Sequence, residues 1–440
     1  MESGDLGGLR SDKVNLKDPT YWNREALDQE MRRQFDICHG CRMCVGYCPS
    51  FPKLFKFVDN YDGEAEKLTH SEMGRVMDLC FNCKLCFVKC PYTPPHELLI
   101  DIPKLVQRYR AVEAQKHLPT LRGNLMDNPE AMGKLAAPLA SLVNFGNKSS
   151  AGRQVIELIA GVDHRAILPN FHRETFQSWY KKHAAARTAK AKTDPVGKVA
   201  LFYTCVVNYN APQVGKALVE VLEHNGFKVA CPEQSCCGMP MLDSGDVDKA
   251  LDHMRRNVAS MIKWVKAGYD IIIPEPTCGM MFKKEYKDYL DGEAVAEVAA
   301  HSYDISEYLF RQKRAGKLKT DFVKAPGKLA YHQPCHLKYQ AIGRRSFDLL
   351  KLLPGAEVTF VDKGCSGHSG SWGVKKENYD LSMQVGAPLF KAIKELGDVQ
   401  PVTDCTLAGL SIQQGTGLRP IHPVEVLYRA YGLDQKKEAK

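Results

Sequence analysis

The chain has 440 residues, 44% of them hydrophobic and 25% charged, with a formal net charge of +9. That length suits two or three domains with a core in each. Composition and patterning set three classes aside. No apolar run approaches the roughly 20 residues of a membrane-spanning helix. Residues 1–13 lack the basic start and apolar core of a signal peptide. The Lys and Arg residues form no single stripe and accompany no nucleic-acid motif, so no nucleic-acid partner is expected. A cytoplasmic chain is expected, and in that setting its 16 cysteines point to metal or redox chemistry rather than disulfides.

In chain order, residues 1–30 are polar and are expected to be a flexible N-terminus, with a short helix at 28–35. A cysteine pattern is then written twice. Cys38, Cys41, Cys44, Cys48 and Pro49 form one copy; Cys80, Cys83, Cys86, Cys90 and Pro91 form the other, each member 42 residues after its counterpart. Structural zinc sites use CxxC pairs with no third cysteine following, which fits this pattern poorly. The C-x2-C-x2-C-x3-C-P spacing resembles that of bacterial two-cluster ferredoxins, where the fourth cysteine of each run ligates the other run's cluster. The resemblance implies one [4Fe–4S] cluster on Cys38, Cys41, Cys44 and Cys90, and a second on Cys80, Cys83, Cys86 and Cys48. Two such clusters, with their four thiolates each, would bring the net charge to about +5. Cys44 and Cys48 would serve different clusters while at most about 14 Å apart along an extended chain, close enough for an electron wire.

Between the two copies, the aromatic and acidic stretch 51–70 is expected as a loop over the clusters. The apolar stripe of Met73, Val76 and Met77 predicts a helix over 71–79 with Ser71 as its N-cap. Pro103 suits the first turn of a helix reaching about residue 117. Its basic and apolar faces permit a membrane-surface role, although packing on its own domain is favoured. The apolar, small-residue stretch 131–143 is a candidate surface for a partner subunit or for lipid, or else a cover for the ferredoxin-like part. The Ala/Lys-rich run 181–198 reads as a domain boundary.

From residue 199 the pattern alternates. Strands are expected at 199–204, 227–230 and 269–274, each leading to cysteine: Cys205, Cys236-Cys237-Gly238, and Cys278. Helices at 213–225 and 247–266 connect them. The order recurs from 328, with strands at 329–332, 357–361 and 399–403 leading to Cys335, Cys365-Ser366-Gly367 and Cys405. This is the signature of an internal duplication of a small parallel sheet, with cysteines at its carboxyl edge. Each half ends on a histidine before a short helix, His301 and His422, expected as caps. Cys231 has no counterpart and reads as an ordinary buried thiol.

The pattern Cys205…Cys236-Cys237-Gly238…Cys278 resembles the cysteine-rich CCG domain of heterodisulfide reductases and of iron–sulfur subunits of flavin dehydrogenases. A two-cluster ferredoxin joined to two CCG modules resembles the C-subunit family of anaerobic glycerol-3-phosphate dehydrogenases. Further support comes from DHRAILP at 163–169, YHQPCH at 331–336, GVKKENY at 373–379 and GAPLF at 386–390. Glycolate oxidase and lactate-utilisation iron–sulfur subunits share the plan. The resemblance implies an α+β chain: a helical two-[4Fe–4S] ferredoxin domain (31–117), a helical connector (118–198), a first CCG module (199–325), a second and degenerate one (326–432), and a tail (433–440). It implies a further iron–sulfur cluster on Cys205, Cys236, Cys237 and Cys278. The second module departs from the pattern. Serine replaces one cysteine at 366, Cys405-Thr406-Leu407-Ala408 stands for CxxC, and Cys335, Cys365 and Cys405 remain, with His336, His368 and Asp404 as candidate substitutes.

With no GxGxxG after a strand and no P-loop, hydride chemistry would need another polypeptide. The implied function is an electron-transfer subunit that takes electrons from a flavoprotein dehydrogenase partner, of the glycerol-3-phosphate or 2-hydroxy-acid class. It would pass them toward quinone or another acceptor at the cytoplasmic face of a membrane. The rivals are a catalytic iron–sulfur protein that reduces disulfides, as heterodisulfide reductases do, and a redox module feeding a peroxide-reducing partner.

Overall fold

The computed structural model describes residues 14–116, 127–187 and 194–435. Residues 1–13, the centre of the Ala/Lys-rich boundary and the last part of the expected tail lie outside the described residues.

The N-terminal part is helical. Residues 14–30 hold a packed structure where a flexible segment is expected: helix Pro19–Trp22 buries Tyr21, and helix Arg24–Cys41 buries Leu27 and Met31. The reason is an apolar spacing of three and four residues (Leu27, Met31, Phe35) hidden in a polar composition. The stretch after the first cysteine run is likewise helix Ser50–Asp59 rather than loop, because Phe51, Leu54, Phe55 and Val58 share one buried face. The next helix spans His70–Asp78, and its N-cap is Thr69, whose side chain and that of Glu72 form a reciprocal capping box. Helix Ile102–Ala114 carries Pro103 in its first turn and is internal, with Leu105, Val106 and Val112 buried. Arg108 on this helix is 0% exposed and donates to the carbonyl oxygens of Tyr21 and Thr20, which excludes a membrane-surface role for it.

The connector holds helices Pro129–Ala136, Ala140–Lys148, Ser150–Ala160 and Phe176–Arg187. Two parallel sheets follow. The first comprises β1 (Gly197–Leu201), β2 (Phe227–Ala230), β3 (Asp270–Ile273) and β4 (Ser302–Asp304), in the order β2-β1-β3-β4. The second comprises β5 (Gly327–His332), β6 (Ala356–Phe360) and β7 (Gln400–Thr403), in the order β6-β5-β7. Strand β4 has no separate sequence signal; it pairs with β3 from Ile271↔Ser302 to Ile273↔Asp304. Both faces of the first sheet are covered at β3, which is why Ile271, Ile272 and Ile273 form an unbroken apolar run with no solvent-facing position, whereas edge strand β6 alternates exposed and half-buried residues. One apolar core runs through both sheets, joining Leu201 and Ile272 to Tyr331 and Val402.

The histidine caps divide. His422 caps helix Pro423–Ala430 in a capping box with Glu425, as expected. His301 instead ends helix Glu293–Ala300 and pairs with Asp270, while Asp304 caps the following helix Ile305–Arg314. Cys231 packs against the shared core, and burial raises its pKa.

Candidate functional site

Each cysteine after a strand sits at the carboxyl edge of its sheet: Cys205 after β1, Cys236 and Cys237 after β2, Cys278 after β3, Cys335 after β5, Cys365 after β6 and Cys405 after β7. Three of these junctions need unusual backbone. Thr204 has φ of 63°, a left-handed value on a non-glycine residue, and its side chain caps the short helix that begins at Cys205. Gly238 and Gly367 follow the two cysteine pairs' positions at φ of 92° and 80°. A Cβ on Gly367 would lie 2.1 Å from the carbonyl oxygen of Ser382. The glycine therefore persists where the neighbouring cysteine has become Ser366.

In the helical part, Cys38, Cys41, Cys44 and Cys90 line one cavity, together with Phe51, Phe55 and Pro91. Burial pushes the Cys38 thiol up, and the charges of Cys90, Cys44 and Cys41 add to it. Cys44 is pushed up to about 11 by burial, then by Cys90 and Cys41. The other four also act on one another. Cys48 is pushed up to about 12 by burial and then by Cys80; Cys86 is raised by burial, then by Cys80 and Cys48. The grouping is the crossed one, in which the last cysteine of each run joins the other run.

The third set is the tightest. Side-chain hydrogen bonds link Cys205 to Cys236, Cys236 to Cys237 and Cys237 to Cys278; these bonds are the largest influence and burial the next, and the net leaves all four thiols above their usual value. Asn257 donates to the Cys236 carbonyl at 2.9 Å, and Tyr286 donates to that of Cys237 at 3.1 Å, fixing the pair from behind. Buried thiols that repel one another as thiolates form a donor set that needs positive charge at its centre. An iron–sulfur core supplies that, so these residues fit the group. Backbone amides also donate to sulfur, from Asn82 to Cys80 and from Tyr92 to Cys90, each at 3.4 Å.

The second sheet's cysteines are arranged differently. Cys83 is raised by burial, and then by Cys335 and Cys365 ahead of its own partners Cys86 and Cys48. Cys335 and Cys365 thus neighbour the second ferredoxin-type set; Cys405, raised by burial and then by Glu275, also feels Cys335 and in addition lines a cleft on the other side. The candidate substitutes His336 and Asp404 are engaged elsewhere. His336 Nε2 donates to the Asn82 carbonyl at 3.0 Å, leaving Nδ1 to accept from Thr277 at 2.8 Å. Asp404 accepts from Ser346 and from Tyr331 at 2.7 Å. His368 is buried, which lowers its pKa to about 4 and keeps its ring neutral.

Several residues that organise this region carry no sequence signal of their own. The loop 80–84 is held between both sheets. Lys84 pairs with Glu285 at 2.6 Å, both fully buried; Arg110 donates to the Cys80 carbonyl and pairs with Asp243; Ser369 donates to the Phe81 carbonyl. His336 adds the link from this loop to Thr277, next to Cys278. Their partners lie far along the chain, so no local spacing reports them.

Residues 31–116 match the family described as citrate utilization protein B Fer4-like domain, and residues 199–283 match the cysteine-rich domain family CCG. The chain is 34% identical over 335 residues to the C-subunit of anaerobic glycerol-3-phosphate dehydrogenase from Escherichia coli (strain K12), covering 75% of this chain and 82% of that protein. It is 31% identical over 252 residues to the B-subunit of fumarate reductase (CoM/CoB) from Methanothermobacter marburgensis, covering 55% of this chain and 48% of the relative. It is also 31% identical over 248 residues to lactate utilization protein A of Halalkalibacterium halodurans, covering 52% and 96%.

Proposed function

The chain belongs to the family of anaerobic glycerol-3-phosphate dehydrogenase C-subunits, and from that premise we propose that it is the iron–sulfur subunit of a dehydrogenase complex, relaying electrons from a flavoprotein partner to an acceptor such as quinone. The observation that carries this reading is the crossed grouping of the two cysteine runs beside a third set of four thiols at the edge of the first sheet. We assign [4Fe–4S] clusters to Cys38, Cys41, Cys44 and Cys90 and to Cys80, Cys83, Cys86 and Cys48, and a further cluster to Cys205, Cys236, Cys237 and Cys278. Bound clusters of this kind supply one-electron steps, and the protein tunes them by burial, charge and hydrogen bonds to sulfur.

The chain's own groups suit that task. Lys84 keeps an ammonium inside the loop between Cys83 and Cys86, and Arg110 holds its guanidinium on the Cys80 carbonyl. Each cation is paired, Lys84 with Glu285 and Arg110 with Asp243, so the two fix the loop that carries the second set rather than adding net charge to it. Arranging the sets around loop 80–84 keeps the carriers in one rigid junction. The substrate of the complex is read as glycerol 3-phosphate or a 2-hydroxy acid, following the relatives' names. A cytoplasmic location at a membrane face is supported by the apolar outer surface of the connector, where Leu135, Phe145 and Leu158 are 70%, 71% and 87% exposed. Among the described residues no helix is long and apolar enough to cross a membrane. The two sheets are read as duplicated modules, 199–325 and 326–432, because β2-β1-β3 and β6-β5-β7 share one order and both keep the positive-φ glycine.

Anaerobic purification with iron and sulfide counts and electron paramagnetic resonance tests the assignment. About twelve irons per chain are expected; about eight would remove the third set, and a value near zero after reconstitution would overturn the reading. Co-purification of a flavoprotein is the expected partner result. Turnover of a disulfide by the isolated chain would favour the catalytic rival instead.

A further inference from the structure

A cleft of about 590 Å³ lies between the connector and the two sheets, clear of the Cys205 set. It falls within the roughly 300–1,000 Å³ typical of small-molecule sites. Its lining includes Thr403 at the end of β7 and Cys405 just beyond, the edge at which open α/β sheets bind ligands. The walls come from three distant segments, 147–172, 210–214 and 403–425.

The charges in this lining are lopsided. Lys148, Arg153, Arg165 and Arg419 face a single carboxylate, Glu425. Glu425 is raised by burial and already accepts from the His422 amide at 2.9 Å. Arg165 is neutralised by Asp163 and Asp380. Arg153 has the Asp163 and Glu157 carboxylates near it and Arg419 has Glu425, but among the described residues none of these closes into a salt bridge. Among the described residues, the side chains of Lys148 and Arg419 form no ion pair. Arg153 is only 6% exposed, yet its Nη1 is buried with no hydrogen-bond partner, while Nε and Nη2 donate to the carbonyls of His164, Asp163 and Ala166. The remaining lining is mixed: Ile167, Leu168, Leu410 and Ile421 form an apolar strip beside polar side chains such as Asn147, Asn170, His172 and Gln413.

We propose that this cleft is a binding site for a small amphipathic organic anion. Its carboxylate or phosphate group sits on Lys148 and Arg419, and its apolar body lies against Ile167, Leu168 and Leu410. The proposal needs no cluster and stands or falls apart from the relay reading. It also gives the DHRAILP stretch a role. That stretch is held down by the Asp163 amide on the Val374 carbonyl at 2.8 Å and by the Ile167 amide on Gln414 at 2.6 Å, and so becomes a fixed wall of the cleft.

Calorimetric titration of the anaerobically purified full chain with n-hexyl phosphate, hexanoate and the neutral analogue hexanol tests this. Saturable binding of at least one acid is expected, about tenfold or more tighter than hexanol, and the stronger acid identifies the head group. The double variant Lys148→Glu/Arg419→Glu changes two exposed side chains and should weaken the acid by about tenfold or more, with unchanged far-UV circular dichroism and iron content. Leu410→Trp, which narrows the apolar wall, should weaken n-hexyl phosphate more than inorganic phosphate. Absence of saturable binding, equal affinity for hexanol, or an unchanged affinity in the folded double variant would overturn the proposal.

Discussion

At the scale of single residues, the decisive groups are those that are charged or strained out of sight of solvent. Burial alone would push the Glu285 carboxyl up, but the Lys84 ammonium 2.6 Å away and the Gln107 amide hold it below its usual value of 4.5. Burial likewise works against the Lys84 charge, and Glu285 more than offsets it, so its pKa ends above 10.5. The carboxylate's contribution to stability is therefore present above pH 4.5 and lost as pH falls through its depressed folded value. The ammonium's is present below pH 10.5 and lost as pH rises through its raised folded value. The difference in urea-unfolding stability between the wild type and Lys84→Met/Glu285→Leu, which cancels the other titrating groups, should be flat between those limits and change outside them. Lys84→Ala, which strands a buried carboxylate, should cost about 3–5 kcal/mol, and Lys84→Met/Glu285→Leu clearly less. A single-variant loss below about 1 kcal/mol would contradict the buried pairing. Gly367→Ala combines a left-handed backbone with a 2.1 Å approach to the Ser382 carbonyl oxygen, whereas a Cβ on Gly238 would meet its nearest atom at 3.1 Å. The first substitution should exceed the roughly 1–2 kcal/mol cost of a left-handed residue, and the second should stay near it.

At the scale of elements, five-residue helices begin at Cys205 and Cys335, and another, Pro276–Met280, encloses Cys278. Helices this short do not persist alone in water, so packing must hold them. His336 is one of the pins: its Nε2–H reaches the Asn82 carbonyl in the ferredoxin-type loop and its Nδ1 takes the Thr277 hydroxyl. Burial lowers its pKa and keeps the ring neutral, as that division of donor and acceptor requires. His336→Ala leaves both partners without it and should destabilise the chain by about 1–3 kcal/mol in chemical denaturation; an unchanged midpoint would show that the pin is dispensable. The same scale marks where sequence patterns misled. The stretch 51–70 reads as loop by composition, yet Phe51, Leu54, Phe55 and Val58 fall on one helix face and close the cavity of the first cysteine set. Thr69 rather than Ser71 caps the next helix, because only Thr69 stands three residues before Glu72.

At the scale of the whole molecule, the helical part and the two sheets do not behave as beads on a string. Loop 80–84 is bonded to Asp243 and Glu285 of the first sheet's unit and, through Ser369 and His336, to the second's, while one apolar core spans both sheets. Thermal unfolding followed by far-UV circular dichroism and by cluster absorbance should therefore give coincident transitions, and two separated ones would contradict a single cooperative unit. The strand-then-cysteine rhythm and the core bounds of elements such as β2 and helix Val247–Lys266 were legible in the sequence, as was the spacing on which the proposed cysteine sets rest. They could be read there because ligand spacing and apolar period are local properties written at short range. Folding in three dimensions alone put Cys335 and Cys365 beside Cys83 with Cys405 near Cys335 at the rim of a cationic cleft, and spent His336 and Asp404 in hydrogen bonds. Those outcomes rest on burial and on contacts between residues tens to hundreds of positions apart, which no local pattern encodes.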